Sequence, residues 1–301
     1  MRGRWSVCLQ AVSRDRAISP DPADLIALQA LARGRRLTQG RVASVFLPGQ
    51  HRVLQRGRGL DFAELRAYQP GDDVRSIDWR RTARHGLPCT KLYHMERERT
   101  LRLLVDLGPG MRFGTRQVFK SVAASRAATL LAWQAEQAGD RVAGVIRHEG
   151  WIALPSRGRR AGVLALIQAL SQPVPGPADV LAAGLQRLSR DARTGDQVVL
   201  FSDFRDLDES ATRQIVALGR RVACRLVHVH DPFEAEPPPP GVLALTDGTR
   251  QVTLDYSDAA VRARHVAAFA AHCACLDAVA REARAQLMHL STAHPPAVVF
   301  G

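Results

Sequence analysis

The chain has 301 residues and a formal net charge of +13, from 42 basic and 29 acidic side chains. That length suffices for one large domain or two modest ones with a sizeable core. No run of about eighteen apolar residues exists, so no membrane span is expected.

The N-terminal stretch MRGRWSVCLQAV has neither a long apolar block nor a small-residue cleavage site, which points away from a signal peptide. The five cysteines, Cys8, Cys89, Cys224, Cys273 and Cys275, are odd in number and scattered. They read as reduced thiols, so the expected compartment is the cytoplasm. Cys273 and Cys275 sit two apart in a helical stretch and point in different directions, which argues against a metal clip between them. Only Lys91 and Lys120 are lysines; every other basic residue is an arginine. Codon bias explains this, and so does a basic surface that meets an acidic partner or nucleic acid. No aromatic-interleaved basic motif, zinc spacing or recognition helix accompanies the charge, so nucleic acid is only the alternative reading.

In chain order, residues 23–33 have helical apolar spacing at Leu25, Leu28 and Leu31. An Arg/Gly-rich stretch follows, with one short strand expected near 42–47. Gln69-Pro70-Gly71-Asp72-Asp73 is a turn signal. Residues 88–95 read as a strand, and strand 100–106 is expected to return antiparallel to it after the charged turn at 96–99. Next come helix 115–138, strands 141–148 and 151–154, helix 160–171 and helix 179–190. Strand 197–202, helix 208–219 and strand 221–230 follow. A hairpin around 242–256, helix 258–285 and strand 286–291 close the chain. This alternation predicts an α/β domain with a mainly parallel sheet flanked by helices. The expected domains are a helical arm at 1–36, a β-rich or irregular accessory segment at 37–98, and the α/β domain at 99–301.

Two strands of that sheet end in aspartate, at Asp106 and Asp203. Open α/β sheets bind ligands beyond the carboxyl ends of their strands. Two carboxylates meeting there repel and invite a divalent cation. Alternatively, each aspartate caps the helix that follows it. For the pair, both readings stay open.

The pattern strand, Asp-loop, helix, then Ser-Asp at the fourth strand's end resembles a von Willebrand factor A domain. The stretch RGRGLDFAELRAYQPGDDVRSIDWRRTARHG (56–86) resembles the signature of the bacterial family called domain of unknown function 58, and HDPFE (230–234) fits its C-terminal half. The resemblance implies a von Willebrand factor A-like, Rossmann-like fold and a Mg²⁺ site made by Asp-x-Ser-x-Ser, a threonine and a further aspartate. Here Asp106 matches the first aspartate and Asp203 the last, but Gly108 and Gly110 replace the serines. Ala178 and Asp179 stand where the threonine belongs. Mg²⁺ needs an octahedron of oxygens, which glycine side chains do not supply. The expectation is a weak or lost site, with Asp179 as a third carboxylate, and no cofactor beyond weakly held Mg²⁺.

Arg112 and Arg205 flank the two strand ends. Either they present fixed positive charge to a partner's acid, or they are solvated or pair with Asp106, Asp206 or Asp208. In the signature segment, Asp72, Asp73 and Asp78 stand among arginines, and Trp79 is a large apolar anchor suited to a buried or interface position. These residues, with Gly108 and Gly110, are the candidate partner-binding set. No nucleophile–base pair, Walker A loop or dinucleotide fingerprint is visible, so no enzyme is expected. A hydrolase built on Asp106, Asp179 and Asp203 would lack a histidine near the cluster. The family resemblance implies an adaptor for a MoxR-type AAA+ ATPase, with a chaperone-like role toward a client protein complex.

Overall fold

In the computed structural model, the residues described are 14–33, 60–69, 77–95, 99–172, 180–246 and 251–298. The expected strand near 42–47 lies outside them. In chain order the elements are α1 (Arg14–Ile18), α2 (Pro22–Ala32), β1 (Leu60–Ala67), α3 (Trp79–His85), β2 (Cys89–Met95), β3 (Thr100–Asp106), α4 (Lys120–Gln137), β4 (Arg141–Arg147) and β5 (Trp151–Gly158). They continue with α5 (Arg159–Ser171), α6 (Leu181–Asp191), β6 (Gln197–Ser202), α7 (Glu209–Gly219), β7 (Ala223–His230), α8 (Pro232–Ala235), β8 (Val242–Thr246), β9 (Gln251–Asp255), α9 (Ala259–Glu282) and β10 (Gln286–Ser291). They fall into two compact units, residues 43–98 and the remainder.

The larger unit is built around β3, whose seven residues are all buried. A strand buried on both faces reads as a near-continuous apolar run, as Leu-Arg-Leu-Leu-Val does here. Leu101, Leu103 and Val105 join the core on one face, beneath α2, α4 and α5. Leu104 joins the core on the other face, beneath α6, α7 and α9. The sheet runs β10-β7-β6-β3-β4-β5. All neighbours are parallel except β5, which pairs antiparallel with β4 at one edge. Within this sheet β3 is the first strand and β6 the fourth, so the order is the doubly wound 3-2-1-4-5-6. The mainly parallel α/β domain expected from the sequence is therefore present.

Helix α4 is buried on nearly every side, which its Ala-rich sequence permits. Asp21 caps α2 by accepting from the Ala23 N–H, and Pro22 occupies the first turn. Leu25, Leu28 and Ala32 pack into the core over α4, whereas Leu31 faces outward. Trp133 on α4 donates to the Leu25 carbonyl at 3.2 Å.

The smaller unit contains the antiparallel pair β1–β2. This corrects one expectation. Strand β2 does not form a hairpin with β3: it pairs with β1, while β3 pairs with β4 and β6. The charged turn at 96–99 signalled a reversal. It did not signal that each strand has a better partner far away in sequence.

Candidate functional site

Strands β3 and β6 are neighbours and run in the same direction, so their carboxyl ends open onto one crevice. This is the point where the strand order reverses, the position at which such sheets bind ligands. The structure thus brings Asp106 and Asp203 together, and both are buried. Ser202 stands between them. Its hydroxyl donates to Asp106 Oδ2 at 2.7 Å and accepts from the Phe204 N–H at 3.0 Å. Phe204 takes a left-handed backbone, φ 53°. That conformation is costly for a bulky residue. It turns the chain so that Asp203 faces the crevice while the Phe204 ring enters the core.

All four carboxylate oxygens have a donor. Asp106 Oδ1 accepts from the Gly108 N–H at 2.9 Å. Asp203 Oδ1 accepts from the Arg205 N–H at 3.2 Å. Asp203 Oδ2 accepts from the Lys120 ammonium at 2.8 Å, and the same Nζ donates to Glu234 Oε1 at 2.9 Å. Arg147, at the end of β4, holds its guanidinium 3.5 Å from Asp106 Oδ2 and donates to Asp206 Oδ2 at 2.8 Å. Burial pushes the Asp106 carboxyl above its ordinary range, further than Arg147, the Gly108 N–H and the Ser202 hydroxyl pull it down, and the charge of Asp203 adds to the rise.

The residues present do not fit a divalent cation. Positive charge is already supplied by Lys120 and Arg147, which would repel an incoming Mg²⁺. The two glycines are sterically matched to this arrangement. A Cβ on Gly110 would come within 3.0 Å of Asp203 Oδ2. One on Gly108 would come within 3.0 Å of both Asp106 Oδ1 and Arg147 Nε. The serines of a metal-binding loop would therefore crowd the side chains that hold the charge here. Asp179 lies outside the described residues.

Glu234 is itself held in place. It completes a capping box with Asp231 at the start of α8, with its Oε2 accepting from the Asp231 N–H at 2.8 Å. Asp231 is fully buried and ties three segments together. It accepts from the Thr115 N–H at 2.9 Å, the Phe233 N–H at 3.0 Å, the Thr292 hydroxyl at 2.6 Å and the Thr115 hydroxyl. Burial alone would raise the Asp231 carboxyl. The hydroxyls of Thr115 and Thr292 and the N–H groups of Thr115 and Phe233 together hold it below the ordinary aspartate range.

Arg112 and Arg205 stand at the rim, half or more exposed. Arg205 reaches Glu234 Oε1 at 3.1 Å, and Arg112 lies 3.9 Å from Glu149. Neither pairs with Asp106, Asp206 or Asp208 in the described contacts. The Arg112–Glu149 pair is exposed on both sides and is weak, about 0–1 kcal/mol, whereas Arg205 reaches a Glu234 side chain that is itself mostly buried. His272 on α9 has its Nε2 2.8 Å from the Asp203 carbonyl.

In the smaller unit, Trp79 opens α3 and is 62 % exposed. The Asp78 N–H donates to the Cys89 carbonyl at 2.8 Å. Asp72 and Asp73 lie outside the described residues.

Three residues central to the crevice are not marked as site residues by the sequence pattern: Lys120, Arg147 and Glu234. Lys120 carried a signal, because a lysine opening an apolar, Ala-rich helix must find a buried counter-charge. Glu234 lies within the HDPFE segment. Arg147 ends its strand level with Asp106, its register partner.

The larger unit is a doubly wound α/β domain whose two strand-end carboxylates face cations supplied by the protein itself. Residues 64–275 match the family described as protein of unknown function DUF58, and the chain belongs to that family. It is 31% identical over 270 residues to the uncharacterized protein Mb1516 of Mycobacterium bovis and to the uncharacterized protein Rv1480 of Mycobacterium tuberculosis. In each case the match covers 88% of this chain and 85% of the relative. Among solved structures, the chain is similar to the conserved hypothetical protein BatB from Bacteroides thetaiotaomicron, at 12% identity and a TM-score of 0.44, covering 64% of this chain and 90% of that one. It is also similar to a von Willebrand factor type A structure from Catenulispora acidiphila, at 13% identity and a TM-score of 0.32, covering 48% and 35%. At these scores neither structure bears on function. Among the described residues no helix is long and apolar enough to cross a membrane.

Proposed function

We propose that the chain is a non-enzymatic protein-binding module that offers the carboxyl edge of its sheet to a partner without using a metal ion. One observation carries this reading: Lys120 and Arg147 provide, from within the protein, the positive charge that a divalent cation would otherwise bring to Asp106 and Asp203. The exposure of the rim arginines, Arg112 and Arg205, supports this reading, because a guanidinium pairs readily with an acidic side chain. The partner that the family resemblance implies is a MoxR-type AAA+ ATPase, with the module as adaptor in the assembly or maturation of another protein complex.

The test is co-purification with the neighbouring AAA+ ATPase from the native host, with and without EDTA. Capture that persists in EDTA and is reduced about tenfold or more by Arg205→Glu supports the reading. Strict dependence on Mg²⁺ would overturn the metal-free mode, and failure to capture any ATPase would overturn the adaptor role. Nucleic acid is the other outcome to watch. It would show as binding that ignores sequence and falls steeply with salt.

A further inference from the structure

Away from the crevice edge, β7, β10 and α9 bring four histidines and a thiol into one cluster. In the parallel pair β7–β10, His228 and His289 are register partners. Their side chains therefore leave the sheet on the same face, the one that α9 covers. Their Nδ1 atoms lie 3.1 Å apart. Two rings at that distance share one N–H, so one ring donates and the other accepts. From α9, Cys273 brings its Sγ to them. One ligand atom from each of His228, Cys273 and His289 lies within 4.8 Å of the others.

We propose that His228, His289 and Cys273 form a binding site for a borderline-soft divalent transition metal, of which Zn²⁺ is the best-fitting example. Two imidazole nitrogens and a thiolate are the donor set such ions prefer and Mg²⁺ or Ca²⁺ do not. The nitrogen spacing is already close to that of a tetrahedral centre, where two Zn–N bonds of about 2.0 Å place the nitrogens about 3.3 Å apart. The thiolate has to close to about 3.5 Å from each nitrogen. On binding, the ring that donates in this pair moves its proton from Nδ1 to its own Nε2, which frees both Nδ1 lone pairs for the ion, and the thiol gives its proton to solvent.

Burial grades across the site. His228 is buried, Cys273 is half-buried and His289 is exposed. An ion therefore enters past His289, and the fourth position is open to water. His230, two residues beyond His228 on the same strand, adds a ring whose Nδ1 is buried and has no hydrogen-bond partner. His272, which contacts the Asp203 carbonyl, precedes Cys273 on α9. The metal centre and the crevice thus share one turn of helix. The proposal stands independently of the partner assigned to the crevice.

The test uses the full chain, stripped of metal, and titrated with ZnCl₂ by calorimetry and with CoCl₂ by absorption spectroscopy. The expected result is one ion per chain and a thiolate-to-cobalt charge-transfer band. Cys273→Ser should abolish the band, and His289→Ala, at an exposed position, should weaken Zn²⁺ binding about tenfold or more. Circular dichroism confirms that both variants are folded. Absence of stoichiometric binding overturns the proposal. So does binding that both folded variants retain unchanged, which would assign the ion to other residues of the chain.

Discussion

The Lys120 ammonium lies 2.8 Å from Asp203 Oδ2, and both side chains are almost wholly removed from solvent. A buried charge is tolerated only when paired and hydrogen-bonded. Lys120 meets that condition with two carboxylates, Asp203 from the loop after β6 and Glu234 from α8. The single cation therefore fastens the loop after β6 to the turn after β7, and it does so from the first residue of α4. This is the service a divalent ion would perform between strand-end carboxylates. A lysine differs in that it cannot leave, so the crevice keeps its shape whatever the metal supply.

Removing that cation should expose the difference. Lys120→Met keeps much of the apolar stem but leaves Asp203 and Glu234 buried and facing each other. Breaking a buried pair in this way costs about 3–5 kcal/mol. The midpoint of urea denaturation should fall accordingly. Millimolar Mg²⁺ should recover part of the loss in this variant by bridging the two acids, while leaving the melting temperature of the unsubstituted chain unchanged. Equal stability of the two proteins would sink the claim that Lys120 holds the crevice together.

Gly110→Ala adds one methyl group 3.0 Å from Asp203 Oδ2. The carboxylate is not a free chain end, because Lys120 holds it. Accommodation means displacing the ion pair by a few tenths of an ångström. Overpacking of this kind costs about 1–3 kcal/mol. Partner capture should weaken alongside stability, because Asp203 and the Arg205 loop move together. Thermal melting and capture assays on the same preparation would show whether the two losses coincide.

Trp79 should behave in the opposite manner. It is exposed, so Trp79→Ser removes little packing within its own unit, and stability should change by no more than about 0.5 kcal/mol. Exposed tryptophans serve as anchors at interfaces. A loss of partner binding at unchanged melting temperature would mark this residue as a contact. A clear drop in melting temperature would return it to a structural role.

The parts of the fold that could be read from the sequence are those encoded locally. Strands β3, β6 and β10 and the long helices show their own periodicity, and an aspartate after an apolar run marks a strand end without further help. From Asp106 and Asp203 alone the crevice could be placed. What occupies it could not, because the answer depends on residues that are distant in sequence. Lys120 reaches Asp203 across 83 positions and Glu234 across 114. Arg112 and Arg205 are closer in sequence to the two aspartates, yet they sit only at the rim. The pairing of β2 failed for the same reason. Its turn signal was local, while its partner was chosen by the sheet. Cys273 is a further case. Paired with Cys275 it suggests nothing, and its nearby donors, His228 and His289, come from strands the sequence does not show to be adjacent.

Asp231 makes one pH-dependent contribution to the crevice, and Asp106, whose carboxyl burial raises, makes another of opposite sign. The Asp231 carboxyl is held below the ordinary aspartate range in the folded chain, so the folded state binds this proton more weakly than the unfolded state does. The resulting stabilisation is fully present above the unfolded value, near pH 4, and is lost as pH falls through the folded value. Asp231→Asn keeps the shape but replaces an acceptor oxygen with an NH₂ donor facing hydroxyls and N–H groups. It should cost about 2–4 kcal/mol at neutral pH. Because the variant has nothing to protonate at this position, its stability should decline less steeply than that of the unsubstituted chain below pH 4. Urea denaturation midpoints measured from pH 7 down to pH 3 test both expectations, and parallel acid limbs would show that Asp231 does not govern this transition. Since Asp231 also positions Glu234, and Glu234 holds Lys120, the variant should lower partner capture even at pH 7, where the chain remains folded.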